Sequence, residues 1–187
     1  MPLQSALSIF IDVAEGLQAA ASEKIIHRDV KPANIFLSTD ERAKIGDFGL
    51  ARALEMDAHL TQDGVIIGTP EYLAPEVIAG EKSTAASDIY SLACSFFHTV
   101  VGAPPFRLSN KDVTSGEVLS RHLKLPPPAL NAGGAPRALK KLIKQMMHKD
   151  PHKRPDYTKV IGQFKSSIRG DTLTINIPRL STIANTI

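Results

Sequence analysis

Tryptophan is absent from the chain and cysteine occurs once, as Cys94. A single thiol excludes an intramolecular disulfide. Set within an apolar run, it reads as a core residue of a protein kept in a reducing compartment, which points to the cytoplasm. The only other aromatics are seven Phe and three Tyr, too few stacking faces for a nucleic-acid partner despite a formal charge of +3. Long apolar runs are missing as well. The greasiest stretch, residues 89–101, is too short to cross a bilayer and carries His98. The opening Met1-Pro2-Leu3-Gln4-Ser5 has no charged leader, so no secretory signal is expected. Internal repeats and low-complexity blocks are also lacking. What is present, 187 residues of which 43% are hydrophobic, suffices for one domain with one core.

Periodicity then divides the chain. Leu3, Ala6, Ile9, Phe10, Val13, Leu17 and Ala20 recur at three- and four-residue steps, which predicts an amphipathic helix ending near Ser22. Residues 24–37 predict a short strand, a polar loop and a second strand at Ile35–Phe36; Ala43–Ile45 predicts another. Residues 47–76 lack periodicity, and a loop of that length inside a domain is usually functional. Ser87, as N-cap, should open a helix apolar around most of its surface, stopped by Gly102 and Pro104-Pro105. Further helices are predicted over 111–122, from Pro136 as first residue through Met147, and over 157–168. Lys140, Lys141, Lys144, Lys149, Lys153 and Arg154 place several cations on an exposed helical face. The expectation is a mainly α domain over 1–168, with 169–187 a tail or the start of a linker.

Five motifs carry the chemistry. They are His27-Arg28-Asp29-Val30-Lys31-Pro32-Ala33-Asn34; Asp47-Phe48-Gly49; Gly68-Thr69-Pro70-Glu71-Tyr72-Leu73-Ala74-Pro75-Glu76; Ser87-Asp88-Ile89-Tyr90-Ser91-Leu92; and Asp150-Pro151-His152-Lys153-Arg154-Pro155. In this order and spacing they resemble the catalytic loop, metal-binding motif and activation segment of protein kinases, together with the helical scaffold beneath them. Taken singly, an Asp in a loop is usually a turn former or a cap, and an Asn before a strand a turn residue. The ordered set is what carries the resemblance. It implies the large C-terminal lobe of the kinase fold, a helical bundle with a few short strands around the catalytic loop.

Phosphoryl transfer needs a carboxylate to hold the acceptor hydroxyl and take its proton, a role that falls to Asp29. A fixed cation beside the transferred group stabilises its charge, and Lys31 follows two residues along the loop. By resemblance, Asn34 and Asp47 are the oxygen ligands for Mg²⁺, and with Lys31 they bind ATP. His27, Phe48 and Gly49 hold the loops in place. Lys31 and the residues before Ala74-Pro75-Glu76 look like those of serine/threonine rather than tyrosine kinases, with Thr69 shaping the acceptor site. The resemblance also makes Asp88 an acceptor of backbone N–H groups from the catalytic loop, and pairs Glu76 with Arg154 in a buried ion pair. Between Gly49 and Gly68, Thr61 is the one phosphate acceptor, with Arg28 and Arg52 to receive the phosphate.

A complete kinase similar to this chain begins with a small lobe bearing a Gly-rich loop, a strand lysine and a helix glutamate. The twelve glycines here never form Gly-x-Gly-x-x-Gly. The expectation is therefore a kinase region without its N-lobe, inactive alone, whose partners are Ser/Thr protein substrates and a supplier of the missing lobe. Two other classes stay open, a pseudokinase-like binding module and one half of a complemented kinase. The motif style resembles bacterial serine/threonine kinases.

Overall fold

A computed structural model describes residues 1–39, 42–48, 69–107 and 113–172. The first helix, α1 (Leu3–Ser22), buries Ala6, Leu7, Phe10, Val13, Ala14 and Leu17, the stripe that its sequence spacing predicts. It lies against α3 (Ala85–Val101), which is buried continuously from Ser87 to Phe97 and forms the centre of the domain. The last helix among the described residues, α6 (Tyr157–Thr172), also packs against α1. Phe96 joins all three. Its ring meets Phe10 of α1 edge-on at 5.3 Å and stacks on Phe164 of α6 at 5.2 Å, geometries that aromatic quadrupoles favour over a face-to-face sandwich. Three shorter α-helices are also present among the described residues: α2 (Pro75–Ile78), α4 (Ser115–Lys124) and α5 (Arg137–Met146).

The only sheet among the described residues is a two-stranded antiparallel ribbon, β1 (Ile35–Leu37) with β2 (Ala43–Ile45), in the register Ile35↔Ile45 and Leu37↔Ala43. A ribbon this small is marginal alone, and α1 supports it. Asp12 accepts from the Ala43 amide at 3.0 Å and pairs with the Arg42 guanidinium at 2.8 Å.

The mainly helical expectation holds, with differences at element ends. The central helix begins at Ala85 after Thr84, two residues before the predicted cap. Ser87 lies within the first turn, where its hydroxyl accepts from the Thr84 amide at 3.1 Å. Gly102 ends that helix at φ 90°, where a side chain would be strained. The predicted helix over 111–122 is α4, capped by Thr114 with Glu117 reaching back to the Thr114 amide. Pro136 precedes α5 rather than opening it, and α6 continues to Thr172. No strand forms at 24–26 among the described residues, where no neighbouring strand pairs with that segment. The late cationic cluster is not all solvated, because Arg154 is buried and Lys149 is partly buried.

Candidate active site

A polar stripe on the otherwise apolar α3 carries the site. Asp88 accepts the His27 amide on one carboxylate oxygen at 2.8 Å and the Arg28 amide on the other at 2.9 Å. The Ser95 hydroxyl donates to the Val30 carbonyl at 3.2 Å, one turn pair further along the helix. Arg28 is held at φ 69°, a conformation that costs a non-glycine residue about 1–2 kcal/mol and persists where the surroundings over-determine it. Burial lifts the Asp88 carboxyl above its ordinary range, although the two amide bonds pull the other way.

His27 fastens this loop to the next one. Its Nδ1 accepts the Asp29 amide at 3.3 Å, which leaves the ring proton on Nε2 to donate to the Gly46 carbonyl at 2.8 Å. The Gly46 amide in turn donates to the Asn34 carbonyl at 2.9 Å, and the Phe48 ring lies 4.5 Å from that of His27. Asp47 stands between these two anchored neighbours, exposed and at φ 64°.

Three of the sequence-predicted residues meet at one carboxylate oxygen. Oδ2 of Asp29 takes the Lys31 ammonium at 2.7 Å and the Asn34 amide nitrogen at 3.0 Å. Lys31 also reaches the Thr69 hydroxyl at 3.3 Å, bringing in a residue 38 positions away. Asn34 is buried and also donates to the Asp29 carbonyl at 2.8 Å, so its side-chain oxygen faces away from Asp29. The Asp29 and Lys31 side chains remain 19% and 21% exposed, which leaves them open to a substrate. The resulting set, a held carboxylate, an ammonium, a hydroxyl and an amide oxygen, suits phosphate chemistry with a hard cation; the exposed Asp47 is tied to it only through its neighbour Gly46, whose amide bonds the Asn34 carbonyl.

Residues 1–164 match the family model described as the protein kinase domain. The chain belongs to that family. Among curated proteins, this kinase-domain chain is 38% identical over 151 residues to serine/threonine-protein kinase PknH of Mycobacterium bovis, covering 80% of the chain and 24% of the relative. It is 39% identical to PknD of Mycobacterium tuberculosis over 80% of the chain and 22% of the relative. The match to PknB of Mycobacterium leprae is 39% over 71% of the chain and 21% of the relative. The chain thus spans about a quarter or less of the length of these serine/threonine-protein kinases.

The kinase domain's scaffold ion pair is bidentate. Glu76 of α2 and Arg154 make two parallel bonds of 2.7 Å, and the Arg154 side chain is wholly buried. Arg154 donates further to the carbonyls of Ala86 and His148 at 2.8 Å, while Ser87 donates to Glu76 at 2.7 Å. Burial alone would raise the Glu76 carboxyl; the bonds from Arg154 and Ser87 outweigh it and hold the group below its ordinary value. Gly49, Arg52 and Thr61 lie outside the described residues.

Several supporting residues escaped the sequence reading. Ser91 donates to the Tyr72 carbonyl at 2.7 Å, the Tyr72 hydroxyl bonds His98 Nδ1 at 2.6 Å, and Arg107 pairs with Glu71 at 2.6 Å. Together they fix the Pro70–Tyr72 turn next to Thr69. A signal existed for the α3 contributors, since Asp88, Ser91 and Ser95 repeat at three- and four-residue steps on an apolar helix. Arg107 and His98 meet their partners only through tertiary packing. Among the described residues no group of three or more His, Cys, Asp or Glu is placed to hold a metal by itself, and no helix is long and apolar enough to cross a membrane.

Proposed function

We propose that Asp29, Lys31, Asn34, Asp47 and Thr69 form the acceptor and phosphate side of an ATP-dependent transferase acting on Ser or Thr hydroxyls of proteins. The observation that carries this reading is the convergence of Lys31 and Asn34 on Asp29, with Thr69 joined through Lys31. Oδ2 of Asp29 is held by two donors, which turns Oδ1 toward an incoming hydroxyl; Asp29 orients that hydroxyl and receives its proton as the new P–O bond forms. Lys31 stabilises the charge on the transferred group. Mg²⁺ needs only one or two carboxylates besides phosphate oxygens, and the exposed Asp47 carboxylate with the outward Asn34 oxygen fits that demand. Bound there, ATP would supply the phosphoryl group and leave as ADP as its β–γ P–O bond breaks, and Mg²⁺ would offset the charge on the phosphates. The functional unit in this reading is 1–168, acting in the cytoplasm.

Orienting ATP also takes a Gly-rich loop and a strand lysine, and such positioning is worth roughly 7–11 kcal/mol. The 187 residues contain no Gly-x-Gly-x-x-Gly, so the chain by itself transfers no phosphate. The test is radiolabelled transfer to a generic basic protein with Mg-ATP. The chain alone should match an Asp29→Asn control, and a fusion of a mycobacterial relative's small lobe ahead of Met1 should label Ser and Thr unless Asp29 is replaced. Robust labelling by the unfused chain would overturn the inactivity. Labelling by the fusion that survives Asp29→Asn would overturn the site. In an active form, Thr61 is the activation-segment phosphosite; phosphopeptide mapping that finds it unmodified would remove that assignment.

A further inference from the structure

From Val118 to Lys149 the sequence carries seven Lys and Arg and no Asp or Glu, against a formal charge of +3 for the whole chain. The fold gathers four of these cations on one face. Arg137, Lys140, Lys141 and Lys144 of α5 are all exposed, and helical geometry puts them within about 100° of its circumference and about 10 Å of its length. Leu139, Leu142, Ile143 and Met146 on the opposite side are buried, so core packing fixes the direction in which the cations point. None of the four has a carboxylate partner among the described residues. Lys159 of α6 widens the patch, its ammonium 3.4 Å from the Gln145 side-chain oxygen at the edge of α5. The spacing is close to the screening length of about 8 Å at physiological salt, so an anion meets these charges as a group. The face shares no residue with the Asp29 cluster.

Charge calls for an anionic partner, and the rest of the face selects its kind. Ala138 is the only other exposed residue of α5. Protein partners are gripped at aromatic or apolar anchors seated in pockets, and this convex face presents none. Single-stranded nucleic acid stacks its bases on aromatic rings, which the face also lacks. A lipid surface needs neither, because its headgroups move laterally to meet each cation, and clusters of Lys and Arg on an amphipathic helix suit anionic lipids. We propose that the Arg137–Lys144 face of α5, with Lys159, docks on an anionic bilayer surface. The apolar side of α5 is turned into the core, so the contact is peripheral and electrostatic, with no insertion into the hydrocarbon.

The inference does not depend on phosphoryl transfer and is tested on the full 187-residue chain by sedimentation with vesicles of equal parts phosphatidylglycerol and phosphatidylcholine. At low ionic strength the chain should bind these vesicles and not pure phosphatidylcholine, and about 0.5 M salt should release it. Arg137→Gln, Lys140→Gln, Lys141→Gln and Lys144→Gln together should weaken partitioning by more than roughly tenfold, since each cation near such a surface is worth roughly fivefold. Gln keeps the helix propensity of the residues that it replaces. Lys24→Gln, Lys44→Gln, Lys82→Gln and Lys124→Gln together remove the same charge from exposed positions outside α5 and should weaken it by less than roughly threefold. Equal losses in the two variants overturn the proposal, because total charge rather than this face would then govern binding. Two measurements on the unsubstituted chain are free of any effect of substitution on folding. Failure to bind the mixed vesicles, or binding that survives the salt, overturns the proposal. Polyglutamate at the same concentration of negative charge should bind more weakly than the vesicles; equal or tighter binding assigns the face to an acidic protein and overturns it as well.

Discussion

At the residue scale, Asp88 converts a buried charge into loop geometry. Both carboxylate oxygens are used, one for each of two successive amides, and this clamp holds the two residues that lead into Asp29, with Arg28 in the left-handed conformation. Asp88→Asn keeps the volume but turns one acceptor into a donor facing an N–H. An unsatisfied buried amide costs about 1–3 kcal/mol. The His27 or Arg28 amide should therefore exchange with solvent about 5- to 150-fold faster in the variant, while amides in the middle of α6 change less. Unaltered exchange at both residues would show that the carboxylate does not hold the loop. Ser95→Ala removes a single bond to Val30 and should lower stability by about 0.5–1.5 kcal/mol, read as a shift in the denaturant midpoint.

At the scale of elements, the Glu76–Arg154 pair joins α2 to the segment before α6. Arg154 reaches Glu76 and three backbone carbonyls, and its guanidinium lies 4.9 Å from the centre of the Tyr90 ring. Arg154→Ala strands a buried carboxylate and should cost about 3–5 kcal/mol. Replacing both partners, as Glu76→Leu with Arg154→Met, should recover a good part of that loss, because no charge is then left unpaired. Melting of Arg154→Ala at the wild-type temperature would refute the pairing's structural role. The helices themselves were largely legible in the sequence. The stripe of α1 and the apolar girth of α3 follow from spacing alone, as does the polar Asp88–Ser91–Ser95 row once a partner loop is sought. Helix starts were less legible, because Thr84 and Thr114 compete with nearby Ser87 and Lys111 as first residues, and hydrogen bonds of the folded chain decide between them. Of the site, the Asp29, Lys31 and Asn34 contacts lie within six residues and were visible locally. Thr69 with Lys31, Tyr72 with His98, and Glu71 with Arg107 depend on how α3 brings distant segments together, which no local pattern encodes.

At the scale of the whole molecule, buried titratable groups give the fold a pH dependence to which His122 makes a separable contribution beside His98, whose pKa burial also lowers. His122 of α4 is fully buried, with its Nδ1 2.9 Å from the Tyr90 hydroxyl, its ring 4.5 Å from Phe106, and its carbonyl taken by the Lys149 ammonium. Burial first, and the Lys149 cation second, push its pKa down from 6.5 to about 3. Between those values the unfolded chain binds a proton that the folded chain refuses, so stability falls as pH drops through 6.5. Glu76 adds a second loss at lower pH. Its folded pKa lies below 4.5, so its contribution is present above 4.5 and disappears as pH falls through the folded value. Lys149, lowered to about 8 by burial, is protonated in both states below pH 7 and adds no slope there. Asp88, raised by burial, acts in the opposite sense as it takes up a proton. The difference between wild type and His122→Asn cancels these shared contributions and isolates the histidine. Going from pH 7 to pH 5 should cost the wild type about 2 kcal/mol more than the variant, equivalent to roughly 4–8 °C in melting temperature for a domain of this size. Parallel pH profiles for the two proteins would mean that His122 takes up its proton in the folded state near its ordinary pKa, and the buried Tyr90–His122–Lys149 cluster would then not contribute to acid sensitivity.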